Sequence, residues 1–150
     1  MKKRNVAIVR SSRPHSIESP FSGEEYTLLL CILDRKIDGD ERSRISDEII
    51  KSGCRYAVCW GHDCSLWDDS IDWSYLASND FSDSSEGFVM TTWHEDDTIA
   101  DTVDFWWHNT WFEDYVSNNL AIVFLGSDPA VEEEMEERAL SLESKWNGDP

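Results

Sequence analysis

Residues 26–33 read YTLLLCIL, an unbroken apolar run closed by Asp34. A strand with one wet face alternates apolar and polar side chains. A run without alternation fits a strand covered on both faces, as in a parallel sheet between helices. Downstream the pattern repeats. Residues 34–39 are a loop, and Asp40 is placed to cap a helix over residues 41–52, where Ile45 and Ile49 form an i, i+4 stripe and Gly53 supplies the stop. RYAVCW at residues 55–60 is a second strand ended by Gly61. Ser65 opens a capping-box pattern with Asp68, and Trp67, Ile71 and Tyr75 share one face of the helix predicted to run to about Ala77. Residues 78–87, rich in Ser and Asp, are a polar loop.

FVMTTW at residues 88–93 is the third strand. Thr98 caps the next helix with Asp101 at its third position; Ile99, Val103 and Trp107 lie on one face with Trp106 beside them, and the helix ends near Asn109. Trp111 and Tyr115 are four apart, which predicts a further helical turn over 111–116. LAIVFL at residues 120–125 is the fourth strand, stopped by Gly126. Ser127 or Asp128 caps a last helix with Pro129 in its first turn and Val131, Met135, Leu142 and Trp146 toward the core. Upstream, residues 5–10 are a candidate edge strand.

Strand and helix alternate throughout, which predicts an α/β fold: a small, mainly parallel sheet of four to five strands with helices on both faces, a three-layer arrangement of the Rossmann-like or flavodoxin-like kind. At 150 residues and 40% hydrophobic content the chain can bury one core. Residues 26–150 read as a single acidic domain, and residues 1–25, with Ser and Pro spread over 10–23, as a partly flexible basic arm.

Charge is unevenly placed. The chain holds 31 acids against 13 Lys and Arg, a formal net charge of -18. Residues 1–15 carry five bases (Lys2, Lys3, Arg4, Arg10, Arg13) and no acid, whereas residues 56–137 carry 20 acids and neither Lys nor Arg. Such a body repels phosphates, which argues against direct nucleic-acid binding. A surface built only for solubility mixes both signs, so one-signed acidity points to docking of a basic protein. No apolar run approaches the ~20 residues that cross a bilayer. The apolar stretch after the basic start covers only residues 6–9, too short for a secretory leader, so a cytoplasmic location is expected. The four cysteines (Cys31, Cys54, Cys59, Cys64) then read as reduced thiols.

Ligands of open α/β sheets bind beyond the carboxyl ends of the strands. The segments following the expected strands contain Asp34 and Arg35; Gly61, His62, Asp63 and Cys64; His94, Glu95, Asp96 and Asp97; and Gly126, Ser127 and Asp128. If the strands run parallel, these share one rim, with Trp60 and Trp93 as walls. His62, Asp63, Cys64, His94 and Glu95 are the catalytic candidates. Cys64 at a helix start with a histidine base has the residue types of a nucleophile, but its acidic neighbours oppose a thiolate. Asp34, His62, Asp63, His94 and Glu95 form a candidate divalent-metal set, and Cys59, His62 and Cys64 offer zinc-type ligands at an uncommon spacing. No resident cofactor is expected beyond such an ion, since no glycine-rich phosphate loop is present.

Seven of the eight tryptophans fall between residues 60 and 111. The stretch FWWHNTWF spans more than one helical face, so part of it should stay exposed. Trp106, Trp111, Phe112 and Tyr115, flanked by Asp104, Glu113 and Asp114, are the expected partner surface or homodimer seam. Two functions follow: an immunity- or inhibitor-type interaction protein that masks or recruits a basic partner, or a metal-dependent or small-ligand α/β domain working at the rim. The charge alone sets one expectation. Carboxylates without cations between them repel over a Debye length of ~8–10 Å, so the melting temperature should rise from low to high salt in a thermal-denaturation series. A flat response would remove the repulsion argument.

Overall fold

The apolar run forms the centre of the molecule. The computed structural model describes residues 2–79 and 87–148. Their order is β1 (Asn5–Ser11), β2 (Tyr26–Ile32), α1 (Gly39–Lys51), β3 (Cys54–Gly61), α2 (Cys64–Ser78), β4 (Met90–Trp93), α3 (Ile99–His108), β5 (Asn119–Leu125) and α4 (Pro129–Asn147). The sheet runs β1-β5-β2-β3-β4 and every pairing is parallel. All seven residues of β2 are buried. Its alternate side chains serve two cores. Leu28, Leu30 and Ile32 pack with Ile45 and Ile49 of α1 and Trp67 and Ile71 of α2. Leu29 and Cys31 pack with Val103, Trp106 and Trp107 of α3 and Met135 and Ala139 of α4. The fold is therefore the expected α/β three-layer arrangement.

Connection handedness explains the split. From β2 through β3 to β4 the chain steps in one direction across the sheet, which places α1 and α2 on one face. The step from β4 to β5 returns across β2 and β3, so a right-handed crossover puts α3 on the opposite face. The β1–β2 connection steps over β5 without a helix. Ile17, which is buried, and Phe21 cover the α1–α2 core there, where a helix would otherwise sit.

Within the stretch read as a basic arm, Asn5–Ser11 is β1 and pairs along its length with β5. Three of its five cations are tied to the body. Arg4 donates to the Trp107 carbonyl and its guanidinium lies over Trp107 and Trp146. Arg10 pairs with Glu132 and Glu136, and Arg13 with Asp34 and Glu41.

Several boundaries differ from the sequence reading. Asp38, not Asp40, caps α1, its carboxylate accepting from the Glu41 N–H at 2.9 Å. The chain enters α2 through Asp63 in a left-handed conformation that Asp tolerates, with no side-chain cap; Ser65 already lies inside the helix, so its expected capping box does not form. Thr98 and Asp128 cap α3 and α4 as expected. Residues 111–116 do not make a helical turn. Phe112 and Tyr115 exchange both backbone hydrogen bonds in a tight antiparallel bridge, which turns both rings inward. The polar loop expected over 78–87 lies, for residues 80–86, outside the described residues.

The bridge and α3 together close the second core. Trp106 is fully buried, so its ring is a core element and not part of a partner surface. Truncation of a buried aromatic leaves a large cavity, and Trp106→Ala should cost about 3–5 kcal/mol, measured by urea denaturation. A cost typical of surface positions would place the ring outside the core.

Candidate functional site at the strand ends

Strands β2 and β5 are neighbours, yet the helices that follow them, α1 and α4, cover opposite faces. The segments that leave their carboxyl ends therefore diverge, which is where parallel α/β folds hold ligands. The backbone keeps this point tight. Leu33 and Asp34 N–H groups both donate to the Leu125 carbonyl, at 2.9 and 2.8 Å. Gly126 follows with φ +100°, and a Cβ there would sit 2.7 Å from the Asp34 nitrogen. Gly61, at the end of β3, has φ +106°, and a Cβ would collide with the Ile32 carbonyl oxygen. Only glycine fits either place.

Two clefts open beside this junction. One, of about 400 Å³, lies between the β2, β3 and β5 ends and is lined by Arg35, Trp60, His62, Glu95, Asp97 and Ser127 among others. The rim expected from sequence is therefore assembled in part: His62 and Glu95 meet there. Asp63, Cys64 and His94 do not line it. His94 is buried under Phe105, its Nδ1 2.7 Å from the Asp97 carboxylate and its Nε2 3.0 Å from the Thr92 hydroxyl; it anchors the loop after β4. His62 faces Asp63 at 3.2 Å. Burial pushes the Cys64 thiol up, and Glu95 adds to the shift, so this cysteine is not poised as a nucleophile. Burial likewise drives the Cys59 thiol well above its ordinary range. Among the described residues no group of three or more His, Cys, Asp or Glu is placed to hold a metal ion. The metal set read from sequence is dispersed because Asp34 faces the other side of the junction.

That second cleft, of about 440 Å³, is lined by Arg10, Ser11, Arg13, His15, Asp34 and Gly126 among others. Here Ser11 Oγ lies 2.9 Å from His15 Nδ1, and His15 Nε2 lies 2.9 Å from Asp34 Oδ2. His15 is 1% exposed. Its carbonyl accepts from Arg44 at 2.7 Å, which holds the crossover against α1. Burial works to raise the Asp34 carboxyl, but hydrogen bonds from His15, the Lys36 N–H and Arg13 outweigh it and hold the group at about 2. Sequence reasoning missed His15 and Ser11. They stand four apart in a segment read as an arm, and nothing local shows that Asp34 lies opposite.

The expected partner surface is also redrawn. Trp106 and Tyr115 are buried, and the Tyr115 hydroxyl bonds to Thr27 at 2.8 Å. Phe112 packs against Phe88 and Tyr115. Asp104 is held by both arms of Arg138. Of that set, Trp111 is 64% exposed, with Glu113 and Asp114 exposed beside it. A different feature emerges between α1 and α2. Ser46 bonds to Ser70 and Ser74 to Asp47, and these short side chains draw the helices together. Leu66 and Trp73, 45% and 63% exposed, line a groove of about 610 Å³ beside Asp40, Asp47 and Asp69.

On its inner side α2 carries an unrelieved charge pair. Asp68 is buried and one of its oxygens lacks a partner, while Asp72 accepts from Thr91 at 2.7 Å. Burial first, then repulsion from Asp72 and Asp69, lifts Asp68 to about 6; burial also raises Asp72.

These features define a parallel α/β protein with clefts at its topological switch point and an acidic helical groove on one face. The chain belongs to the family described as Domain of unknown function (DUF7684), whose profile matches residues 6–141. No curated protein and no solved structure matches it significantly.

The raised Asp68 carboxyl favours the folded state when protonated. That contribution is complete below 3.8, the unfolded value, and is lost as pH rises through about 6. At neutral pH the buried charge then weakens the fold. Asp68→Asn should accordingly stabilise the protein at pH 7–8 by on the order of 1–3 kcal/mol, with the gain vanishing at pH below 4, as read from denaturation midpoints across pH. A gain independent of pH would exclude this cause.

Proposed function

We propose that this chain is an acidic cytoplasmic docking domain that binds a basic protein partner and thereby masks or recruits it. The observation that carries the reading is the α1–α2 groove, where Leu66 and Trp73 stand exposed beside Asp40, Asp47 and Asp69, with Arg42 as the cation among the lining residues. Aromatic side chains that remain accessible beside complementary charge are typical binding anchors. The surrounding acidity would speed encounter with a cationic surface and repel acidic competitors. The 20 acids between residues 56 and 137 include Asp69, and that stretch has no Lys or Arg to neutralise it.

The clefts at the β2–β5 junction favour a second reading, a small-ligand domain working at the rim. The two readings use different residues and separate by mutation.

An amphipathic Lys/Leu peptide is the probe for the first. It should bind with an affinity that falls as salt rises, and its Glu/Leu counterpart should not bind. Trp73→Ala should weaken the Lys/Leu peptide by about 10-fold or more, measured by calorimetry. Peptide binding that survives Trp73→Ala and Leu66→Ala together would reduce the effect to diffuse charge attraction and remove the groove as the docking site.

A further inference from the structure

We propose that Ser11 is an activated nucleophile, served by His15 and Asp34, and that the cleft around it accepts small uncharged acyl esters. The argument starts from proton positions. Asp34 is ionised at neutral pH and a carboxylate only accepts, so His15 Nε2 carries the hydrogen that bridges the 2.9 Å gap to Oδ2. In the neutral ring the lone pair is then on Nδ1, and the Ser11 hydroxyl donates to it at 2.9 Å. The Arg13 guanidinium lies 2.7 Å from the same Asp34 oxygen and holds that carboxylate in place. Nucleophile, base and orienting acid are thus joined in one chain of hydrogen bonds, the arrangement by which serine hydroxyls are activated.

Placement supports the chemistry. Ser11 ends β1 and Asp34 follows β2, so both stand at the carboxyl rim beside the switch point. Ser11 is half-buried and faces a cleft of about 440 Å³, of a size for a small acyl group. Gly126 lines the cleft beside Ser11, its N–H donating to the Ser11 carbonyl at 3.1 Å. The charged residues lining the cleft balance, Arg10 and Arg13 against Asp34 and Glu132, which selects an uncharged ester over an anion.

In the reaction, Ser11 Oγ bonds to the ester carbonyl carbon while its proton passes to His15 Nδ1. The adduct collapses, the bond to the alcohol oxygen breaks, and the alcohol leaves with the proton from His15. Water then adds to the acyl carbon, its proton passing to His15. The Ser11 ester bond breaks, the carboxylic acid departs and His15 Nδ1 returns its proton to Ser11 Oγ. Water is the sole co-reactant.

A fluorophosphonate probe tests the assignment on the intact chain. Its phosphorus bonds to Ser11 Oγ as fluoride leaves. Tandem mass spectrometry should place the adduct on Ser11, and Ser11→Ala should abolish it. His15→Gln should slow labelling by about 100-fold or more, with circular dichroism confirming that the variant keeps its fold; the site of wild-type labelling decides the matter if it does not. An unlabelled wild-type chain, an adduct on Ser12 or Ser127, or a folded His15→Gln protein labelled at the wild-type rate would each overturn the proposal and leave the three residues as a tether for the β1–β2 crossover.

Discussion

Two-sided burial of β2 is the constraint on which the molecule depends. A strand with seven buried residues must have neighbours on both edges and helices on both faces, and its alternate side chains must satisfy two separate cores. With β3 on one edge and β5 on the other, the chain has to reverse its direction of travel across the sheet once, and it does so between β4 and β5. That reversal assigns α1 and α2 to one face and α3 and α4 to the other. The segments leaving β2 and β5 diverge at the same point, and both clefts lie beside it.

Charge follows from the same geometry. The body from residue 56 to 137 supplies no Lys or Arg, so its cations must come from outside that stretch. Parallel pairing of β1 with β5 brings Arg10 beside Glu132 and Glu136 of α4, while the crossover brings Arg13 to Asp34 and Glu41. Arg138 answers Asp104 from the far end. The acids of α2 receive no such help from any ion pair with Lys or Arg among the described residues. Asp68 and Asp72 are left to share burial, and Asp69 is left at the surface.

The sequence displayed the fold well because its signals are local and periodic. YTLLLCIL and LAIVFL each lack alternation, and Ile45/Ile49 and Trp67/Ile71 mark helical stripes, so element type and order follow without knowledge of contacts. Boundaries failed where two oxygen-bearing residues compete for one cap, as Asp38 and Asp40 do. The turn at 111–116 failed because spacing alone cannot separate a helical turn from a short bridge that folds two rings inward. The site was less legible. A rim could be named from strand ends, and His62 and Glu95 do meet there. Strand order, however, decides that Asp34 faces Ser11 and His15 instead of Glu95, and strand order is a long-range property.

The same long-range order ties the groove to the cleft. Asp38 caps α1, Asp40 lines the groove, and Glu41 between them and the body binds Arg13, whose guanidinium also holds Asp34. That turn of helix lines the groove through Asp40 and, through Glu41, holds Arg13 of the cleft lining. It is fixed by the Asp38 cap and by Arg44, which bonds Glu48 within the helix and the His15 carbonyl outside it. The same helix thus meets the crossover through Arg44 and Glu41 and the acidic groove through Asp40.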